Sequence, residues 1–287
     1  NYFWRCLAEG APTTVSPTVA VRGGAEPVHA AVAVRPVSVA DLQPAATAYR
    51  SYVRPKLASM LEQVRAVRAE ISGGDVATAR RDWLGAQLTW ERVGAAYGSF
   101  GALGDAIDGL PQALPRGVHD PGFTGLHRLE YGLWHGQSAA TLTLVCSRLI
   151  ADIETLSAKL PQVTIDPTDL PIRAHEILED ALRDHLNGMT DEGAGAAYPE
   201  TYADVQGTRV VLGELAPLVN QRRPHLLATI RPQLSALSRA LLATKAHGSW
   251  RSPASTPLAE RQLVNARIGA VLENLSIVPD LLEVPAH

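Results

Sequence analysis

Apolar residues recur at helical spacing along most of the chain. In residues 38–72 they lie three and four positions apart on one face, and the pattern ends at Gly73 and Gly74. Such spacing predicts a long helix that buries this face. Ser38 and Asp41 resemble an N-terminal capping box with Asp in place of Glu. The inward stripe consists of Val53, Leu57, Met60, Leu61, Val64 and Val67.

The same spacing, with turn residues at the ends, predicts seven more helices. Their approximate ranges are 76–98 (or 76–100), 123–134, 139–160, 168–189, 202–219, 224–247 and 258–282. Antiparallel helices of about 20 residues joined by short loops are typical of up-and-down bundles. We therefore predict an all-α fold of two side-by-side up-and-down four-helix bundles.

Residues 109–122 interrupt the helical pattern. Pro111, Pro115, Gly117 and Pro121 lie in this segment, and prolines at this density exclude a continuous helix. We expect a long ordered loop that helps to shield a site formed by the flanking helices.

Residues 1–36 follow a different pattern. An aromatic segment at 2–7 is followed by turn residues at 9–12 and by a β-branched stretch at 14–21. This order predicts a β-hairpin. An isolated hairpin is marginal in water, so the arm either lies on the helical body or is the tail of a β-domain. We divide the chain into a hairpin arm, 1–36, and a helical domain, 37–287.

Composition and charge narrow the classes of partner. The chain has 46% hydrophobic and 19% charged residues, as expected for a globular protein, and its net charge is −3. Without a dense Lys/Arg cluster, neither nucleic acid nor an anionic membrane is favoured as a partner.

No apolar run approaches the roughly 20 residues of a membrane span. The chain opens at Asn1, and we expect a mature or truncated product. The two cysteines, Cys6 and Cys146, are compatible with one disulfide or with two free thiols.

Candidate metal ligands lie on three consecutive segments. His127 and Glu130 are three residues apart in a predicted helix, so both side chains leave one face. Glu91 and Asp108 precede them, and inward carboxylates and imidazoles are the usual ligands of metal sites in helical bundles. This nitrogen and oxygen set suits iron, manganese or zinc. Surface charge, a turn cap and an ordinary helix pair are the structural alternatives.

A second polar pair, His175 and Glu179, extends an apolar stripe at helical spacing. A half-buried histidine satisfied by its own glutamate is the alternative to metal ligation here. The sequence contains no Gly-x-Ser-x-Gly elbow, no cysteine with an adjacent histidine and no phosphate-binding loop. An enzyme would therefore have to be metal-dependent.

Several runs of residues resemble the imelysin or M75-peptidase-like family, and in particular its Efe-type iron-uptake lipoproteins. These runs are 90–100, 106–109, 124–134, 173–179, 258–262 and 282–283. They occur in the family's order, and the resemblance covers about 37–283. It implies a pair of four-helix bundles, in agreement with the helix count.

The resemblance also implies a site and a function. The family's His-x-x-Glu motif is matched by His127 and Glu130, and its further carboxylates by Glu91 and Asp108. It implies an extracytoplasmic component of an iron-uptake system, which is periplasmic, on the cell surface or secreted. This component would bind iron, or zinc or another divalent metal, and work with a membrane permease and a peroxidase-like partner. Residues 1–36 would be the tail of a cupredoxin-like domain, and an anchor or leader would precede Asn1. The alternative is a hydrolytic or oxidative metal-dependent enzyme that uses the same residues.

Two positions depart from the family pattern. Many iron-binding members have a second Glu where this chain has Gly94, and close relatives have a His in place of Gln87. Both changes remove a possible ligand near the expected site.

Overall fold

The computed structural model describes Arg5–Cys6, Thr14–Val15 and residues 35–285. The chain divides into two compact units, Asn1–Arg35 and Pro36–His287. In the first unit, strand β1 (Arg5–Cys6) pairs antiparallel with strand β2 (Thr14–Val15). The rest of the expected hairpin arm lies outside the described residues. The arm and its origin in a cupredoxin-like domain therefore stay predictions.

The second unit is built of helices, which confirms the predicted all-α class. The helices are α1 (Val39–Ser72), α2 (Val76–Glu91), α3 (Tyr97–Phe100), α4 (Ala102–Asp108), α5 (Gly125–Trp134), α6 (Ala139–Lys159), α7 (Asp169–Asp180), α8 (Ala197–Arg222), α9 (Leu226–Ala243), α10 (Leu258–Leu275) and α11 (Ile277–Leu281). A π-helical turn, Ala181–His185, follows α7. Short 3-10 turns lie at Gly94–Ala96, Pro111–Ala113, Gly117–His119 and Pro253–Ser255. Among the described residues, no helix combines the length and apolarity needed to cross a membrane.

Helix α1 forms as its sequence predicts. The Asp41 carboxylate accepts a hydrogen bond from the Ser38 backbone N–H at 2.9 Å, which caps the first turn. Five residues of the predicted stripe are buried, and Leu61 packs partly buried against them. These side chains belong to one continuous apolar core.

The helices pack in two neighbouring groups. Helix α1 contacts α2 and α6, while α5 contacts the same two helices. Helix α8 packs on α7 and α9, and α10 packs on α9. Contacts of α8 with α1 and α2 join the groups and bring α7 and α8 to the end of α2. The arrangement as two up-and-down bundles stays a prediction.

Helix α2 ends earlier than the predicted 98 or 100. It stops at Glu91, and Gly94–Ala96 form a 3-10 turn. Gly207 of α8 approaches the chain here, since a Cβ on this glycine would lie 3.1 Å from the Arg92 carbonyl oxygen. The close approach of α8, together with the low helix propensity of glycine, ends the helix.

The predicted helix 168–189 also ends early, because its last part is a π-helical turn. The Leu186 N–H donates to the Ala181 carbonyl, five residues back. Such a turn inserts one extra residue and changes the direction of the side chains that follow.

Of the two cysteines, Cys146 is buried and free, while the side chain of Cys6 lies outside the part that the structure describes.

Candidate metal centre

Ionisable side chains from several helices and from the π-helical turn face one cavity of about 170 Å³. Asp180, at the end of α7, and Asp184, in the π-helical turn, line the cavity and pair with arginines. The other acidic and imidazole side chains of the lining come from α2, the end of α4, α5, the π-helical turn and α8, and they are Glu91, Asp108, His127, His185 and Asp204. Three of the four sequence-predicted residues thus face one cavity.

His127 lies between two carboxylates. Its Nε2 is 3.4 Å from Asp108 Oδ1, and its Nδ1 is 3.3 Å from Glu130 Oε2. The other oxygen of Glu130 accepts hydrogen bonds from the backbone N–H groups of Glu192 (3.0 Å) and Ala194 (2.9 Å). Glu130 is therefore held behind the imidazole and lies outside the cavity lining. His127 is only 2% exposed, so its ring cannot turn to another partner in solvent.

Gln87 joins the two other predicted residues. Its amide Nε2 donates to Glu91 Oε1 at 2.6 Å and to Asp108 Oδ1 at 3.3 Å. Both carboxylate oxygens therefore lie within hydrogen-bonding reach of one nitrogen atom. A cation can replace such a donor, because it is attracted by the same two carboxylates. The amide oxygen of Gln87 is buried without a hydrogen-bond partner.

The structure adds two residues that sequence reasoning missed, His185 and Asp204. His185 Nε2 lies 3.7 Å from Glu91 Oε2 and 3.4 Å from Asp204 Oδ2. The three residues each offer a ligand atom within 4.8 Å of the others. Glu200 and Asp204 lie four residues apart and therefore on one face of α8. This spacing of two carboxylates was the signal in the sequence that could have pointed to α8 as a source of ligands.

Burial and nearby charge set the protonation of the acids. Burial raises the pKa of Asp108 to about 7, although the charge of His127 opposes this shift. Burial likewise raises the pKa of Asp204 to about 7 and that of Glu200 to about 8. The cavity therefore holds acids that bind protons near neutral pH when no cation neutralises them.

Neighbouring carboxylates keep the buried imidazoles protonated. Burial disfavours their charge, but Asp108 and Glu130 raise the pKa of His127 to about 9. Burial also opposes the charge of His185, yet Asp204 and Glu91 raise its pKa well above the ordinary value. Burial would raise the pKa of Glu91, but the two imidazoles hold it below its usual range. Protons thus balance the carboxylates, and a metal ion would displace them.

Two cationic side chains at the cavity are paired with acids. The Arg173 guanidinium donates to Glu176 at 2.7 Å and lies 3.7 Å from Asp180. The Arg183 guanidinium donates to Asp180 at 2.8 Å and to Asp184 at 2.7 Å. Their positive charges are therefore neutralised locally.

The other sequence-predicted features lie close to this cavity or on the surface. Leu110 of the loop 109–122 lines the cavity, and the Gln112 amide donates to the Met189 carbonyl at 3.0 Å. His175 Nδ1 lies 3.4 Å from Glu179 Oε2, and neither residue lines the cavity. This pair fits the interpretation of a histidine satisfied by its own glutamate.

The fold and this cavity define an all-α protein with buried carboxylates and imidazoles gathered between its helices. The family model for imelysin, the M75 peptidase family, matches residues 45–278. The chain therefore belongs to the imelysin family, as its motifs predicted.

Two relatives of the chain are named as iron-uptake components. The chain is similar to the iron uptake system component EfeO of Escherichia coli strain K12 and to that of Shigella flexneri. In each case it is 22% identical over 232 residues, which are 81% of this chain and 62% of the relative. The chain thus spans less than two thirds of the length of these relatives.

Proposed function

We propose that this protein is an extracytoplasmic, metal-binding component of an iron-uptake system. The name of its relatives supports this role, and the buried position of His127 between Asp108 and Glu130 is the structural observation that carries it. We place the ion among Glu91, Asp108 and the Nε2 atom of His127.

Glu130 has a positioning role in this proposal. A metal-bound histidine usually gives its other ring nitrogen to a carboxylate or a backbone carbonyl, which fixes its tautomer and orientation. Glu130 faces the Nδ1 atom of His127, and its second oxygen is occupied by two backbone N–H groups. Glu91, Asp108 and His127 are then the ligands, while Glu130, which the sequence predicted as a fourth ligand, holds His127 instead.

Iron is the proposed cargo, and zinc or another divalent metal is the alternative. The donor set contains carboxylate oxygens and an imidazole nitrogen without a thiolate, which suits these metals better than copper(I). A membrane permease and a peroxidase-like protein are the proposed partners. A metal-dependent enzyme that uses the same residues is the alternative function, and the names of the two relatives do not point to it.

Titration of chelator-treated protein with Fe²⁺ under anaerobic conditions, and separately with Zn²⁺, tests this function. We expect tight binding by the wild-type protein and the loss of at least one bound ion per chain in His127→Ala. The matched control is His225→Ala, since His225 is exposed and lies outside the cavity. Unchanged stoichiometry and affinity in His127→Ala would refute the proposed site.

A further inference from the structure

A second set of ligand atoms faces the cavity from the side of α7 and α8. Its members are His185 Nε2, Asp204 Oδ2 and Glu91 Oε2, with the imidazole nitrogen 3.4 Å and 3.7 Å from the two carboxylates. All three side chains are buried. An imidazole and two carboxylates converging at one point form a recurring ligand set for zinc and iron.

Asp204 provides independent evidence that a ligand belongs at this position. The residue is 3% exposed, and its Oδ2 atom is buried without a hydrogen-bond donor. Its 3.4 Å approach to His185 does not satisfy hydrogen-bond geometry. Buried carboxylate oxygens nearly always have a donor or a cation, so an unpartnered one that lines a cavity indicates a ligand.

His185 is held from behind in the same way as His127. Its Nδ1 lies 2.9 Å from Thr190 Oγ1 and 3.3 Å from Glu200 Oε2. Both buried imidazoles thus have a carboxylate at Nδ1 and a second carboxylate at Nε2, where an ion would lie. A carboxylate at Nδ1 is the usual partner of a metal-bound histidine.

Glu91 lies between the two histidine positions. Its Oε1 atom is turned towards Gln87, which also contacts Asp108, whereas its Oε2 atom faces His185. The two oxygens of one carboxylate can bind two ions, and ions in paired sites lie about 3.5–4 Å apart. The cavity of about 170 Å³ far exceeds the roughly 10–15 Å³ that one water needs.

We propose that the cavity binds two metal ions that share the Glu91 carboxylate, an inference that rests on the proposed function. The first ion lies at Asp108 and His127, and the second at His185 and Asp204. Three carboxylates then compensate most of the charge of two divalent ions, and bound waters complete the coordination. The chain therefore carries its cargo as a pair of ions.

Zinc stoichiometry tests the proposal, because Zn²⁺ has no redox chemistry. The protein is equilibrated with buffered Zn²⁺ and analysed for metal by mass spectrometry. We expect two ions per wild-type chain and one in His185→Ala, with the one ion retained at the His127 position. Asp204→Asn is the second variant, since it preserves shape if His185→Ala fails to fold. His175→Ala is the matched control on the preceding helix and should keep two ions.

Mn²⁺ electron paramagnetic resonance supplies a readout that a purely structural role would not change. The second equivalent of Mn²⁺ should give a spin-coupled spectrum in the wild-type protein and only an uncoupled one in Asp204→Asn. One ion in the wild-type protein, lost in His127→Ala and unaffected by His185→Ala, would overturn the second position and leave the proposed function standing. Two ions without coupling would overturn the shared Glu91. A wild-type protein without bound metal would overturn both proposals.

Discussion

Glu130 fixes the orientation of the His127 ring. One of its oxygens is fixed by backbone N–H groups of Glu192 and Ala194, so its position depends on a segment more than 60 residues further along the chain. The other oxygen faces His127 Nδ1. When a metal ion replaces the proton on Nε2, this arrangement would hold the remaining proton of the imidazole on Nδ1.

Replacing Glu130 by Gln should weaken metal binding without removing a ligand. The amide keeps the size of the side chain but loses the negative charge that orients the imidazole. We expect affinity at the His127 position to fall about 10–100-fold, as for other groups behind a metal-bound histidine. Isothermal titration with Zn²⁺ measures this change, and Glu179→Gln on the surface of α7 is the control. Wild-type affinity in Glu130→Gln would contradict the positioning role.

At the scale of elements, the contact between α4 and α5 sets Asp108 beside His127. Gly125 has a φ of 85°, and a Cβ here would lie 2.1 Å from the Ile107 carbonyl oxygen. The Thr124 hydroxyl donates to the Ala106 carbonyl at 2.9 Å across the same contact. The start of α5 therefore rests directly on the last turn of α4, which ends at Asp108.

Gly125→Ala should disturb both stability and metal binding. A left-handed conformation costs a non-glycine residue roughly 1–2 kcal/mol, and overpacking adds about 1–3 kcal/mol. We expect a loss of about 2–5 kcal/mol in the free energy of unfolding, measured by denaturant titration. Gly74→Ala is the matched control, because Gly74 has a φ of 83° and nothing within 4 Å of its Cβ position. Equal losses in the two variants would show that the α4–α5 contact contributes nothing beyond backbone conformation.

At the scale of the whole molecule, the buried charges make stability depend on pH. Burial raises the pKa of Asp108 and of Asp204 to about 7 and that of Glu200 to about 8, so each acid lowers the stability progressively as the pH rises from about 4, where it ionises in the unfolded chain, to its raised pKa. His127, with its pKa raised to about 9, stabilises the fold while protonated and loses this contribution as the pH rises through 9. Glu91 is ionised throughout this range because its pKa is lowered.

The metal-free protein should therefore become less stable between about pH 5 and pH 9, first through the acids and then through His127. We expect its Tm to fall across this window when measured by differential scanning calorimetry in the presence of a chelator. Saturating Zn²⁺ should raise the Tm and reduce the slope, because the ion neutralises the carboxylates and binds only the folded state. Asp204→Asn should flatten the dependence of the metal-free protein. A Tm that rises from pH 5 to pH 7 would show that these acids are not buried as described.

The sequence by itself determined the local features of this protein. Helix α1 with its Ser38 cap, the all-α class and the pairing of His127 with Glu130 follow from spacings of three and four residues, which are geometric properties of a single helix. The imelysin family likewise followed from ordered motifs along the chain.

Only the tertiary structure decided which distant residues meet. His185 and Asp204 reach Glu91 because α8 packs on α2 and α7 packs on the 3-10 turn Gly94–Ala96 that follows α2, and no spacing within one helix encodes these contacts. The π-helical turn that carries His185 was hidden for the same reason, since an inserted residue leaves no periodic signal. The end of α2 at Glu91 depends on the approach of Gly207 to Arg92, which becomes visible only when the helices pack.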